Sequence, residues 1–565
     1  MTGGTLQLTK YGAQNAYLNG NPQMTYFKAV YKRHTNFSME MLRLDFEGTQ
    51  NIANDVETQL KCKITRNGDL INKIYFCINL PDIYSAHFYD SVTNNNSNAE
   101  FAWVPNIGCQ IIKKCNLAIG GNKISEVYGQ WIEIWHEIFL DTAGKNNFDN
   151  MIGHQADLFM PSHNGWNAGV YPSSSLDRAL SKNPDSDDIY FSNFKKNSFL
   201  QPPSIRGRKL YVPIPFWFST NPGLALPLIA LQYHEITLEI ECRPITELYT
   251  IIETKSGGSI PKGARTAPTS DEHHHIGNFI TGVQSNSFRD NIDLSDGPTN
   301  IQGWNMDTHL LVNYIFLDKD ERTKFAKNNH EYLIEQVYRQ DFTGVIGTAT
   351  LNLQFQHPVK YIVWCGQRND VARKLNRHNN YTNWEDEYIP PGTNAYCRLL
   401  GFDNEDPLYY KTDTNGELIY ENNELIPLDN DTTAKSVALL PTKFNFDSWR
   451  EDAIKSSRLL FDGVERYSSR DSVFFRYVQP YQHNIKTSDK SGIYLYSFAL
   501  EPSRYQPSGC CNMSRISNLQ IELEMCDIVP NSDNFETYDY NVFVYAVNYN
   551  LLRIVGGMAG LAFSN

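Results

Sequence analysis

The most informative stretch of the chain is Asn21-Pro22-Gln23-Met24-Thr25-Tyr26-Phe27-Lys28-Ala29-Val30-Tyr31-Lys32-Arg33-His34-Thr35-Asn36-Phe37-Ser38-Met39-Glu40. Its Asn-Pro pair interrupts regular structure, because a residue before proline is pushed into extended conformations. A segment that mixes aromatic and basic side chains follows, and then a strand is expected to begin. Residues 1–24 contain Gly and Asn and few apolar positions, so we predict an arm that only a partner orders.

Composition favours an all-β protein. The 565 residues allow two large domains as well as three or four smaller ones. Aromatic residues make up 13% of the chain, with 33 Tyr and 30 Phe, and such residues favour strands. The 35 Gly and 26 Pro indicate many turns.

Charge and cysteine spacing exclude several classes of protein. The net charge is −13 and no Lys/Arg-rich tail occurs, so direct nucleic-acid binding is not expected. The ten cysteines include no CxxC pair and predict reduced, buried thiols, and a bond between the adjacent Cys510 and Cys511 would be strained. The sequence has neither an apolar run of about 18 residues nor signal-peptide features, which predicts synthesis and retention in the cytosol.

Alternating apolar residues predict strands along the whole chain. The pattern is clear in 42–47, in 70–80 and in Ile236–Cys242, and it returns in Leu519–Met525. The last two segments are alike, which is weak support for a duplicated β-domain. A strand over 310–317, a short helix over 318–327 and a strand from His330 predict the boundary between two domains.

One helix is predicted early in the chain, with Ser125 as its cap and an apolar face that ends at Phe139. It contains His136 and Glu137, but Leu140 stands where a zinc-protease motif needs a second histidine. We therefore expect this pair on an exposed helix face.

Three long polar insertions are predicted, over 141–200, 253–300 and 366–440. The second contains His273, His274 and His275. Three consecutive side chains cannot all face one ion from a strand, so a solvated loop without metal is expected.

Five blocks resemble, in the same order, the major capsid proteins of nucleocytoplasmic large DNA viruses. They are residues 20–40, 210–240, 310–337, 478–516 and 551–565. The resemblance implies two consecutive eight-stranded jelly rolls with a few short helices and long loop insertions. It places an arm at 1–24, the first jelly roll at 25–317, a helical linker at 318–329, the second jelly roll at 330–548 and a tail at 549–565. The apolar tail is expected to dock on its own fold or on a neighbour.

The same resemblance implies a structural protein of the virion. Homotrimeric, pseudo-hexagonal capsomers would tile the icosahedral capsid of a large double-stranded DNA virus, with the insertions outside and the termini nearer the inner face. Implied partners are neighbouring copies, minor capsid proteins and penton proteins, with an inner viral membrane nearby. Assembly in the host cytoplasm is expected, and no cofactor, metal or catalytic residue is predicted.

Two alternatives remain open from the sequence. One is a minor capsid paralogue, since such a protein would share the fold. The other is a glycan-binding protein or enzyme on a β-sandwich, but no pair of carboxylates stands out as a glycosidase would require, and His154 and Asp157 have the wrong spacing for a metal-dependent oxygenase.

Sequons begin at Asn36, Asn95, Asn380, Asn430 and Asn512. Asn95, Asn380 and Asn430 lie on predicted loops and are the candidate glycan acceptors.

Overall fold

The computed structural model describes residues 2–83, 95–161, 203–253, 265–269, 274–280, 304–384, 452–528 and 538–563, together with the short strands His87–Asp90, Leu180–Lys182, Ile189–Phe191, Tyr420–Glu421 and Glu424–Leu425. Two sets of eight strands build the fold. The first set is β1 Phe37–Asp45, β2 Thr58–Ile64, β3 Leu70–Asn79, β4 Ile112–Ile119, β5 Asn122–Tyr128, β6 Lys209–Pro213, β7 Ile236–Cys242 and β8 His309–Leu317.

The second set follows a short helix and has the same number of strands. It consists of β9 His330–Val345, β10 Thr348–Leu353, β11 Pro358–Arg368, β12 Ile454–Phe461, β13 Val464–Asp471, β14 Ile493–Ser497, β15 Leu519–Met525 and β16 Tyr540–Val555.

Both sets have the same antiparallel topology. The first forms sheets of order β1-β8-β3-β6 and β2-β7-β4-β5, and the second forms β9-β16-β11-β14 and β10-β15-β12-β13. Adding eight to each strand number of the first set gives the order of the second. Two four-stranded sheets with this connectivity define a jelly roll, so the chain folds as two consecutive jelly rolls.

Additional strands decorate this frame. Asn95–Trp103 and Tyr249–Glu253 are the centre of a small sheet that His87–Asp90 and Arg265–Thr266 complete. Met558–Leu561 turns back on β16 as a hairpin. Among the strands that the structure describes, every pairing joins two strands on the same side of residues 318–329.

The helices are short, and two of them precede β1 while the others lie between strands. They are α1 Gly3–Thr9, α2 Ala16–Asn19, α3 Ile107–Ile111, α4 Gly129–Phe139, α5 Thr142–Ile152, α6 Ala156–Phe159, α7 Trp217–Thr220, α8 Gly277–Ile280, α9 Lys319–Lys327, α10 Asn369–Leu375 and α11 Gln479–Gln482, with a π-helical turn at Phe474–Val478. Asp318 caps α9 as expected, with its carboxylate accepting from the Lys319 amide.

Alternation explains how each sheet covers a core. In β7, Ile236, Leu238, Ile240 and Cys242 are buried while the residues between them lie toward solvent. Leu238 pairs with Cys62 of β2 on one side and Leu117 of β4 on the other, so it lies at the centre of its sheet. Placing one face of each sheet inward in this way supplies the hydrophobic stabilisation of both jelly rolls.

Several local expectations were wrong. The helix begins at Gly129 rather than beside Ser125, which belongs to β5. Gly129 is required there, because a β-carbon would overlap the carbonyl oxygen of Ile112. The insertion predicted over 141–200 begins with the helices α5 and α6, whose Phe148 and Leu158 are buried. The last strand continues to Val555, where the sequence had predicted a tail.

Candidate functional site

The two jelly rolls of the chain pack against each other, and this contact is the candidate functional site. Strand β5 and helix α4 of the first jelly roll pack against the outer face of the sheet β9-β16-β11-β14. The ring of Trp131 lies 5.1 Å from that of Tyr545 and is stacked on Tyr361, while Phe139 lies 5.5 Å from Tyr361. Aromatic contacts of this kind bury large areas and join the two cores into one hydrophobic cluster.

A cation also lies in this contact. The guanidinium carbon of Arg339, on β9, is 4.5 Å from the ring of Phe543 and 4.8 Å from the ring of Tyr128 on β5. Its Nε and one Nη donate to the carboxylate of Asp341 at 2.5 and 2.9 Å. The aromatic rings and the carboxylate both stabilise the planar cation, so Arg339 can remain charged in this partly buried contact.

Buried carboxylates on α4 bind the second jelly roll. Glu133 is 3% exposed and accepts hydrogen bonds from Gln110 at 3.2 Å and from Asn379 at 3.3 Å. It also forms an ion pair with Lys490. Lys490 and Asn379 both follow β9 in the chain, so a single carboxylate joins the two halves.

Glu137 makes a second set of bonds one helical turn further on. Its Oε1 accepts from the backbone amides of Asp489 at 2.7 Å and Lys490 at 3.1 Å and from Nζ of Lys145 at 2.9 Å. Residues 133 and 137 are four apart on a helix and therefore lie on one face. That face is the surface that recognises the 488–490 loop.

The structure corrects the expectation for His136 and Glu137, which are both buried. The Nδ1–H of His136 donates to the carbonyl oxygen of Ile132 at 2.6 Å, and its ring is stacked 3.8 Å from that of Phe148. Burial lowers the pKa of His136 to about 4, so the imidazole is neutral near pH 7. Glu137 belongs to the contact between the jelly rolls, whereas His136 packs within the first jelly roll.

The sequence contained signals for this site that we did not use. Helix α4 is apolar on most of its circumference, which indicates a buried helix whose charged residues have partners. A second signal is a repeated motif, Arg43-x-Asp45-Phe46-x-Gly48 in and after β1 and Arg339-x-Asp341-Phe342-x-Gly344 in β9. Both glycines have positive φ, of 78° and 73°, so the two motifs also share a left-handed backbone conformation at this position.

The candidate glycan acceptors have different surroundings. The backbone of Asn95 starts a strand, while Asn430 lies outside the described residues. Asn380 is 2% exposed, its amide nitrogen donates to the Trp384 carbonyl at 2.9 Å, and its Oδ1 accepts from Thr382. A glycosyltransferase needs a free amide nitrogen, so the folded chain disfavours Asn380.

The histidine run lies in an insertion beside the small additional sheet. His273 is outside the described residues, and His274 is buried with its Nδ1 accepting from the Thr269 amide at 3.1 Å. Within the described ranges, no group of three or more His, Cys, Asp or Glu residues is arranged to hold a metal ion.

Seven of the nine described cysteines are buried thiols, whereas Cys510 is exposed and Cys511 is partly exposed.

The arm and the residues between it and β1 are the most exposed part of the described chain. Residues 2–36 include Tyr17, Tyr26, Phe27 and Tyr31, each at least 88% exposed. This segment has four Lys or Arg residues and no acidic residue, although the whole chain carries a net charge of −13.

Across the helices that the structure describes, none has the length and apolarity that a membrane crossing requires.

The chain matches known proteins over nearly all of its length. A sequence model described as the N-terminus of the major capsid protein matches residues 25–318, and one described as the major capsid protein of large eukaryotic DNA viruses matches residues 321–560. The major capsid proteins of Phaeocystis pouchetii virus and Paramecium bursaria Chlorella virus 1 are 32% and 30% identical to this chain, and in both comparisons all of each chain is covered.

Solved structures agree. A quasi-atomic model of the PBCV-1 virus capsid matches with a TM-score of 0.58 and 25% identity, covering 96% of this chain and 100% of the other. The Faustovirus major capsid protein matches in fold, with a TM-score of 0.55 and 13% identity over 94% of this chain and 93% of the other. Fold and interior contact together define a double jelly-roll protein.

The chain belongs to the family of major capsid proteins of large eukaryotic DNA viruses. Its function is therefore structural, as a component of the virion capsid, and the enzyme alternative is set aside because the relatives are capsid proteins.

Proposed function

We propose that this chain forms homotrimers and that each trimer is a pseudo-hexagonal capsomer of an icosahedral shell. The observation that carries the proposal is the presence, side by side in one chain, of two jelly rolls with the same strand order. Three copies around a threefold axis present six similar units, and such a ring closes through heterologous contacts. An obligate trimer of this kind needs interfaces above roughly 2,000 Å².

The solution mass tests this proposal. One chain has a mass of 64.8 kDa, so light scattering of the purified protein is expected to give about three times that value. Electron microscopy of assembled particles should then show six-sided capsomers. A monomer at all concentrations that support shell assembly would contradict the proposal.

The domain limits are part of the proposal. We place the first jelly roll at 25–317, the linker at 318–329 and the second jelly roll from residue 330. The pairing of described strands only within each set supports these limits. Within this arrangement, we expect the insertions at the ends of the sheets, on the outer surface of the capsomer. Asn95 and Asn430 remain the proposed glycan acceptors, and glycopeptide mass spectrometry of the virion protein tests them.

Further partners are minor capsid proteins, penton proteins and an inner viral membrane nearby, with assembly in the host cytoplasm. The exposed aromatic arm supports docking beyond the trimer, and the acidic net charge of −13 supports a shell without direct contact to the genome. Cross-linking of intact virions tests this: the arm is expected to cross-link to other capsid components, and cross-links from this chain to viral DNA would contradict it.

A further inference from the structure

An amine and a carboxamide from different jelly rolls bind the same buried carboxylate oxygen. Oε1 of Glu133 accepts a hydrogen bond from the amide nitrogen of Asn106 at 2.5 Å. The same oxygen accepts from Nζ of Lys490, which lies in the second jelly roll. Two donors to one oxygen are at most about 6 Å apart, so the Lys490 amine lies beside the Asn106 carboxamide.

These three groups are shielded from water. Asn106 and Glu133 are each 3% exposed, and the side chain of Lys490 is 13% exposed. Oδ1 of Asn106 has no donor among the residues that the structure describes. A buried amide oxygen without a partner is unusual in folded proteins, so this carboxamide calls for an explanation beyond its hydrogen bond to Glu133.

The backbones that carry the amine and the carboxamide are held in place. The carbonyl oxygen of Asn106 accepts from the amides of Cys109 at 2.9 Å and Gln110 at 3.1 Å, at the start of α3. The amide of Lys490 donates to Glu137 at 3.1 Å. Fixed geometry of this kind lets two side chains react as if each were present at a very high local concentration.

We propose that Lys490 and Asn106 form an isopeptide bond that joins the two jelly rolls covalently, with Glu133 as the proton carrier. The bond lies within one folded chain, so it is independent of the trimer.

The reaction is a transamidation that releases ammonia. Proton transfer from the Lys490 ammonium to the Glu133 carboxylate replaces two buried charges with two neutral groups, which removes the cost of desolvating an ion pair. Neutral Nζ then attacks Cγ of Asn106, and a bond between Nζ and Cγ forms while the bond between Cγ and Nδ2 breaks. Glu133 gives its proton to Nδ2, which leaves as ammonia, and takes another proton from Nζ. Atoms and electrons balance without an oxidant or a further reactant.

The product suits a buried site. The new amide is uncharged, and its N–H can donate to Glu133 where the ammonium stood. A bond between residues 106 and 490 also closes most of the chain into a loop, which restricts the unfolded state in the way that a disulfide does. The two jelly rolls then stay joined even when the contacts between them are broken.

The mass of the denatured wild-type protein tests the bond. We expect a mass one ammonia below that calculated from the sequence. Trypsin does not cleave at an acylated lysine, so digestion should yield a branched peptide in which residues 74–113 are joined to residues 487–504. Tandem mass spectrometry of this peptide identifies the linked side chains. A full mass without a branched peptide would overturn the proposal.

Substitutions of the three residues test their roles. Lys490→Arg keeps a cation but removes the amine, and Asn106→Gly removes the carboxamide at a left-handed backbone position that glycine accepts. Both variants should regain the full mass. Glu133→Gln removes the proton carrier with little change of shape and should leave most chains unlinked. Circular dichroism shows whether each variant is folded.

Lys145→Arg is the matched control. Nζ of Lys145 lies 2.9 Å from Oε1 of Glu137, one helical turn along α4, but among the described residues no side-chain amide donates to that carboxylate. This variant should keep the branched peptide and the mass deficit. Loss of the branched peptide in folded Lys145→Arg would contradict the assignment of the amine to Lys490.

Two further outcomes would overturn the proposal. Asn379 is a rival acceptor, because its amide nitrogen lies 3.3 Å from both carboxylate oxygens of Glu133, and a branch at Asn379 would exclude Asn106. A deficit of one ammonia that persists in Lys490→Arg would show a different reaction, such as succinimide formation at Asn67 before Gly68.

Discussion

The guanidinium carbon of Arg339 lies 4.8 Å from the centre of the Tyr128 ring, so a cation of the second jelly roll rests on an aromatic side chain of the first. Nearby, Glu137 accepts the backbone amide of Asp489 at 2.7 Å across a sequence separation of 352 residues. Contacts of such high sequence separation form slowly, because the entropy of closing the long loop is lost before the contact stabilises the chain. We therefore expect each jelly roll to fold before the two associate.

Removal of Glu133 should destabilise the contact. In Glu133→Ala, Lys490 keeps its charge in a site where its side chain is only 13% exposed, without this partner. Breaking a buried pair on one side costs about 3–5 kcal/mol, so the urea midpoint should fall clearly. Lys61→Ala, which breaks an exposed pair with Glu239, is the control and should shift the midpoint little. Equal shifts for the two variants would contradict the role of Glu133.

Leu238→Asp should prevent soluble folding. Leu238 is fully buried between Cys62 and Leu117, and an aspartate there would be an unpaired charge in a sheet core. Thr237→Asp introduces the same residue on the opposite face of β7, where Lys63 is its neighbour, and should be tolerated. Soluble yield and cooperative melting distinguish the two. A folded Leu238→Asp protein would refute the register of β7.

Acidification should destabilise the protein through His136. Burial lowers its pKa in the folded state to about 4 from 6.5, so the unfolded chain binds the proton first. The stabilising contribution is complete above about pH 6.5 and is lost as the pH falls toward 4, with roughly 2 kcal/mol lost between about pH 7 and pH 5. The effect of pH on stability through Asp149 has the opposite sign. Burial raises the pKa of this carboxyl group to about 6, so its contribution to the free energy of unfolding is lost as the pH rises through that value.

The variant His136→Gln isolates this effect. Its amide can still donate to the Ile132 carbonyl but does not titrate, so its unfolding free energy should fall less between pH 7 and pH 5 than that of the wild type. His34→Gln, which removes an exposed histidine of the first 36 residues, is the control variant. An unchanged slope in His136→Gln would show that the imidazole does not stay neutral in the folded state.

Deletion of residues 551–565 should destabilise the chain itself. Leu552 and Ile554 are buried in β16 opposite β9, and the amide of Ala559 donates to Nδ1 of His234 at 3.2 Å. The apolar tail thus docks on its own fold, one of the two options that its composition allowed. We expect a lower melting temperature and lower soluble yield. Normal melting of the truncated chain would contradict the packing of this segment.

Deletion of residues 2–36 should have the reverse effect. This segment comprises the arm and the residues between it and β1, and nearly all of it is exposed. The melting temperature should therefore change by less than about 2 °C, while incorporation into shells should fall. Differential scanning calorimetry and an assembly assay measure the two quantities. A large loss of thermal stability would show that the arm packs on the chain's own jelly rolls.

The sequence alone determined the all-β class, the short helix α9 and the strands whose alternation is regular, such as β7 and β15. Alternation records which face of a strand is buried, and this is a local property of the chain. The family resemblance supplied the pairing of two jelly rolls, which the topology then confirmed. Boundaries at Ser125 and at residue 549 were wrong, because helix and strand ends depend on contacts with distant segments.

Only the tertiary structure decided which charged residues are buried. Glu133, Glu137 and His136 look like surface residues of a helix. The two carboxylates bind the 488–490 loop, more than 340 residues later in the chain, and His136 packs on Phe148 of the next helix. The repeated Arg-x-Asp-Phe-x-Gly motif is visible in the sequence at both sites. The two copies differ in their surroundings, since Tyr128 of the other jelly roll lies on Arg339 whereas Arg43 pairs with Asp45 and Asp307 of its own jelly roll. The contact with Tyr128 depends on how the jelly rolls pack against each other.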